Sequence, residues 1–235
     1  TKTEYLAYEA FDPTGIVLTV LYTSGATLQL DTENADIRFD NKSLTTDITE
    51  VVVYHTVYNI GHADSEKYCA TVPVTVNPRP VDVPEAEKEL TYTGEAQNAP
   101  VTVNETYVKL EGETKGTNAN TYHAFANLKD PDNLVWNTNP ASTEQQMVEW
   151  KINKATLTLK TLTYPNDVYA VENTTQMTAI TDWLSEQNAL GVSGTYALNK
   201  ALDANRVSYT YTFTPADTDN YETANGVVNL TVKAD

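Results

Sequence analysis

The sequence holds a single cysteine, Cys69, so an internal disulfide and any cysteine-built metal site are excluded. Histidine is nearly absent too: His55, His62 and His123 show no metal-ligand spacing. Cations are scarce. Fifteen Lys and Arg against 32 Asp and Glu leave a formal net charge of -17. Nucleic acid and anionic membrane surfaces are therefore poor partners, because each phosphate contact wants a cation. No apolar run approaches the ~18–20 residues that insertion across a membrane needs. Nucleophile elbow, phosphate loop and His-Glu metal motif are all missing. No enzyme is expected, and no catalytic residue, cofactor or metal site. Among 32 carboxylates a glycosidase-like pair can always be imagined, and nothing selects one.

What is present is the material of β-sheets. Thr is the commonest residue and Tyr occurs 15 times, set among Val. Such side chains fit a pleated, half-buried surface, and Thr on the wet face keeps it soluble. The 40% hydrophobic content suffices for folded cores, and 235 residues allow one large domain or two to three small ones.

Three stretches of similar length, 1–77, 78–154 and 155–235, each close on an alternating strand: 71–76, 148–153 and 226–232. Self-similarity at a fixed period marks a tandem array. In the first, 16–22 and 26–30 flank Thr23-Ser24-Gly25 as a hairpin, and 51–58 is a later strand. Pro73 implies an edge or a bulge. Pro78, Pro80 and Pro84 read as a semi-rigid linker. In the second, 90–93 and 121–128 are strands. Lys154-Ala155 is a short, tight junction opening directly into Thr156-Leu157-Thr158-Leu159. Residues 174–188 break the β pattern: Met177, Ile180, Thr181 and Leu184 fall at helical spacing, with Thr174 or Thr175 as cap and Gly191 beyond the end. Many short strands with turns between otherwise predict all-β sandwiches.

These motifs carry a resemblance. Residues 4–18, with Tyr8 and Phe11-Asp12-Pro13-Thr14-Gly15, resemble the opening of bacterial Ig-like domains, except that Tyr8 stands where that family has glycine and the turn should differ. Leu90-Thr91-Tyr92-Thr93-Gly94, Gln97, Asn118-Ala119-Asn120-Thr121-Tyr122 and Leu128-Lys129-Asp130 resemble repeats of surface proteins of Gram-positive gut bacteria. Tyr211-Thr212-Phe213-Thr214-Pro215, with Asp217, Asn220 and Tyr221, is similar to a signature of related repeats. The resemblance implies Ig-like modules of an adhesin-type cell-surface protein, with a β-grasp-like variant open for the helix-bearing third stretch.

Several residues were candidates for chemistry. Cys69 next to His55 or His62 could form a thiol–imidazole pair, but an alternating strand favours a buried, unreactive hydrophobe. Asp130-Pro131-Asp132-Asn133 and Asp217-Thr218-Asp219-Asn220 put oxygens in turns. Calcium wants six to eight such ligands and the spacing is incomplete, so Asx turns with weak or no calcium binding are expected. Trp136, Trp150 and Trp183, with Tyr107, Tyr209 and Tyr211, could stack on sugar rings, but Tyr209, Tyr211 and Phe213 share strand parity, which favours a core. Tyr122 is placed like the corner tyrosine of Ig sandwiches. Lys160 and Asn229 could form an isopeptide pair. Asn-x-Ser/Thr triplets start at Asn41, Asn104, Asn173 and Asn229 and would matter only in a eukaryotic secretory pathway.

The expected function is a non-enzymatic spacer in an extracellular, bacterial cell-surface or secreted protein, with neighbouring domains of a longer chain as partners. Strand-like sequence at both ends reads as a segment of that longer chain. The alternative is an adhesin or carbohydrate-binding segment taking a host or glycan ligand. Stiff junctions and like charge lead to the expectation of an extended monomer.

Overall fold

Alternation of Val, Thr and Tyr folds into short strands throughout. The computed structural model describes residues 1–32, 37–39, 43–55 and 69–234, without the side chains of Tyr54, His55 and Cys69. The expectations for Cys69 burial, for His62 and for residues 56–58 lie outside what is described. The described chain is all-β apart from one helix. It divides into two compact units, Thr1–Pro84 with Val103–Glu111 and Phe125–Gln146, and Glu85–Thr102 with Gly112–Ala124 and Met147–Asp235.

In the first unit, Val17–Leu21 and Thr27–Asp31 form the expected hairpin, Val17 opposite Asp31. Gly25, at φ 84°, supplies the left-handed residue of its turn. Glu50–His55 lies between Ile37–Phe39 and Cys69–Pro73 in an antiparallel sheet. Val53 (0% exposed), Leu30 and Ile37 make one core cluster; Tyr5, Leu44, Val51, Val74 and Val76 make another. At Pro73 the chain changes partners. Lacking an N–H, Pro73 ends one ladder, and Thr75–Asn77 then pairs in parallel with Glu4–Leu6. The proline-rich 78–84 segment is more than a linker: Arg79–Val81 pairs in parallel with Leu134–Trp136.

In the second unit, Leu90–Thr91 pairs in parallel with Ile152 and Asn153, and Gln97–Asn98 pairs antiparallel with Lys115–Gly116. The third stretch is one mixed sheet in the order Thr161–Tyr169, Ala224–Lys233, Ser208–Pro215, Gly194–Leu198. Helix α1, Thr174–Asn188, covers one face with Ile180 and Leu184, both fully buried among Tyr164, Val168, Tyr209, Tyr211, Val228 and Leu230. The helix bounds match the sequence expectation; its caps do not. Asn173 is the N-cap and accepts from Gln176 N at 2.8 Å, so neither Thr174 nor Thr175 is needed. Ala189, at φ 47°, takes the left-handed C-terminal position ahead of Gly191 and donates its N–H to Ser185 O. Residues 156–159 are not a strand. Ala155 is tied to Tyr221 by a bridge and Lys160 N–H to Asn188 Oδ1 at 2.9 Å, so this segment spans two anchors without a ladder partner.

Candidate functional site

Each of the three stretches is closed in the same way. The first strand runs parallel to the last, ending at the pairs Leu6–Asn77, Thr91–Asn153 and Tyr169–Lys233. The next residue then donates its N–H to the last-strand carbonyl: Ala7 to Asn77 (2.8 Å), Tyr92 to Asn153 (2.8 Å) and Ala170 to Lys233 (2.9 Å). The chain therefore leaves each stretch beside the point where its first strand ended.

At the first two of these exits sits an asparagine loop belonging to the stretch that follows. Within the first unit, Asn133, 9% exposed, accepts the backbone N–H of Thr46 on Oδ1 at 2.7 Å. Its Nδ2 donates to Asp130 Oδ2 at 2.9 Å, and its carbonyl accepts from Arg79 N at 2.9 Å. Thr46 Oγ1 adds a bond to Asp132 O, and Arg79 Nε donates to Ala7 O at 2.7 Å. Within the second unit, Asn220, 7% exposed, repeats the pattern. Its Oδ1 accepts from Ala119 N at 2.7 Å, its Nδ2 donates to Asp217 Oδ2 at 2.9 Å, and its carbonyl accepts from Ala155 N at 2.8 Å. Lys154 Nζ fastens the same loop through Thr218 O at 2.7 Å. In both joints the aspartate three residues earlier orients the amide, and the amide oxygen satisfies a backbone donor of the preceding stretch. A buried Asn with every such partner in place gives direction as well as energy.

Aromatic rings flank both joints. Tyr8 stacks on Tyr107 with centroids 5.8 Å apart and donates its hydroxyl to Asp130. That bond pushes the Tyr8 phenol up to about 12 and, with Asn133, holds the Asp130 carboxyl below its ordinary range. Tyr8 sits at φ 67°, the left-handed backbone that glycine adopts most readily. Tyr92 packs edge-on against Tyr221 at 5.3 Å, and burial raises its phenol.

The sequence candidates separate accordingly. Both acidic loops are turns in which the Asp130 and Asp217 carboxylates bond to Asn133 and Asn220; among the described residues no cluster of three or more His, Cys, Asp or Glu could hold a metal ion. Trp136 and Trp150 are 0% and 2% exposed, donating their indole N–H to Glu144 O and Glu113 O, and Trp183 lies edge-on against Tyr164. Tyr209, Tyr211 and Phe213 are core, as their parity indicates. Tyr122 acts as a corner: its hydroxyl donates to Asn118 O at 2.7 Å while its ring stacks on Trp150. His123 faces Glu149 at 3.6 Å. Lys160 Nζ donates to Gln187 O and Asn229 sits opposite Thr163 and Ser208, so the two form no pair. The joints themselves were not foreseen. A shared spacing could have found them: Tyr122 and Tyr209 each precede the loop aspartate by the same interval, as they do the loop asparagine.

No family model and no curated protein matches the chain. Solved structures that align with it include SGBP-B of the Bacteroides ovatus mixed-linkage glucan utilization locus in complex with a mixed-linkage heptasaccharide, at 10% identity and TM-score 0.20, over 99% of this chain and 65% of that one. Cadherin domains 1–4 of protocadherin gamma B7 align at 6% identity and TM-score 0.16, over 99% of this chain and 74% of that one. The chain thus spans just under two thirds of the length of the first. Scores this low carry no argument about function.

Proposed function

We propose that the chain is a non-enzymatic structural segment of a bacterial cell-surface or secreted protein, in which three consecutive β-rich modules, 1–77, 78–154 and 155–235, are joined end to start by a repeated asparagine joint. The observation that carries this reading is the matched bonding of Asn133 and Asn220, each satisfying a backbone N–H of the preceding module and an amide N–H of the incoming linker's first residues. Chemistry invested in joints rather than in an open site is what a spacer requires. A net charge of -17, few cations and a Thr-rich surface suit an extracellular setting.

The second reading, a glycan-binding segment, needs exposed rings gathered on one module. Among the described residues the tryptophans are in cores or packed against them, and the exposed aromatics, Tyr22 and Tyr169, stand singly in different units. Titration calorimetry with a panel of soluble β-glucans and host glycans, and turnover assays on the same panel, test the proposal. It predicts no saturable binding and no product. Binding abolished by replacing Tyr22 or Tyr169, or turnover abolished by replacing one carboxylate, would overturn it.

A further inference from the structure

The third stretch closes like the other two, and none of the described residues forms an asparagine loop over its exit. Ala170 donates to Lys233 O as Ala7 and Tyr92 donate to Asn77 and Asn153. By that pairing Lys233 stands at the place of Asn153 and Ala234 at that of Lys154. Counting back from Tyr209 as from Tyr122, Asn205 takes the place of Asn118 and Arg206 that of Ala119, the residue whose N–H meets the asparagine of the second joint. Tyr209 also ties its hydroxyl to the turn before it, at Asp203 O (3.0 Å), as Tyr122 does at Asn118 O. In the first two stretches this end is bonded to a loop; here Tyr169, Val171 and Val207 are 51%, 62% and 70% exposed.

We infer that this end of the third stretch, formed by Tyr169–Val171, Asn205–Val207 and Lys233, is a docking surface for a further module of the same kind, entering by an Asp-x-x-Asn loop. The inference rests on the joint reading above. The occupant follows from what fills the two equivalent places in this chain. Charge agrees: the loop is acidic, and the residue standing where Ala119 stands is Arg206, one of only three arginines, held over the Tyr209 ring. The Arg206 N–H bonds to Asp203 O at 2.9 Å within its own turn, so the incoming asparagine would share that donor, and the guanidinium adds a second one for the loop aspartate. Apolar residues this exposed, at a sheet end, are what a docked loop would cover.

The experiment lengthens the whole chain after Ala234 with a second copy of residues 155–235, so that the added loop meets the third stretch as Asp217 to Asn220 meets the second. Amide hydrogen exchange is read at Asn205–Val207 and Tyr169–Val171. Exchange at least about tenfold slower than in the unextended chain is expected. The increase should vanish when the added loop carries Asn220→Ala. Unchanged rates, while the strands of the added copy are themselves protected, would overturn the inference. That failure leaves the two internal joints untouched, since they are read separately at Thr46 and Ala119.

Discussion

Single atoms decide how well the joints hold. Asn133 and Asn220 each bury an amide whose oxygen accepts a backbone N–H that would otherwise be unpaired, and Asn133 Oδ1 also accepts the Thr46 hydroxyl. Replacing either by Ala leaves that donor unsatisfied and should cost about 1–3 kcal/mol, read as a lower denaturant midpoint for the unit concerned. Tyr8 adds a pH signature. Its folded-state value lies above the ordinary 10.0, so the contribution of its bond to Asp130 is fully present below that value and is lost as pH rises through about 12. For Asp130, held below 3.8, the contribution is present above that value and is lost as pH falls through the lowered one. The melting-temperature difference between the native chain and Tyr8→Phe should therefore be flat near neutrality and shrink at both extremes; a difference that persists unchanged to the highest pH would refute the bond. Close packing sets another limit. A Cβ on Gly116 would lie 2.4 Å from Tyr122 Cζ, inside the stack on Trp150. Gly116→Ala should destabilise by about 1–3 kcal/mol, checked by chemical denaturation, because the ring it strikes is tied down at its hydroxyl.

Among the elements, helix α1 shows both what sequence pattern conveys and where it stops. Met177, Ile180, Thr181 and Leu184 revealed its face and its ends, since 3.6-residue periodicity is local. The hairpin 17–31 and the closing strands were legible for the same reason. The caps were not, because Asn173 competes with two equally suitable threonines and Ala189 takes a conformation that composition assigns to Gly191. Ala189→Gly should thus stabilise the chain by roughly 0.4–1 kcal/mol, whereas Asn173→Ala should destabilise it by about 1 kcal/mol; thermal melts of both variants check the signs. Residues 156–159 alternate like a strand yet form none, because a strand needs a partner and both ends of this segment are already anchored. The parallel pairing of first with last strand in each stretch is non-local, and no property of either strand alone announces it.

For the molecule as a whole, the two acidic loops were visible in the sequence as turns, and their aspartates do turn the chain. What sequence could not show is that the fourth residue of each loop reaches 87 and 101 positions away along the chain to a backbone amide. That long reach turns a repeated surface loop into a joint and makes a spacer the proposed role. The most direct measurement is residue-resolved amide exchange at Thr46 and Ala119 in three proteins: the native chain, Asn133→Ala and Asn220→Ala. The account predicts that both amides are protected in the native chain. Asn133→Ala should expose Thr46 alone, and Asn220→Ala should expose Ala119 alone. Protection of Ala119 unchanged by Asn220→Ala, or of Thr46 unchanged by Asn133→Ala, would contradict it.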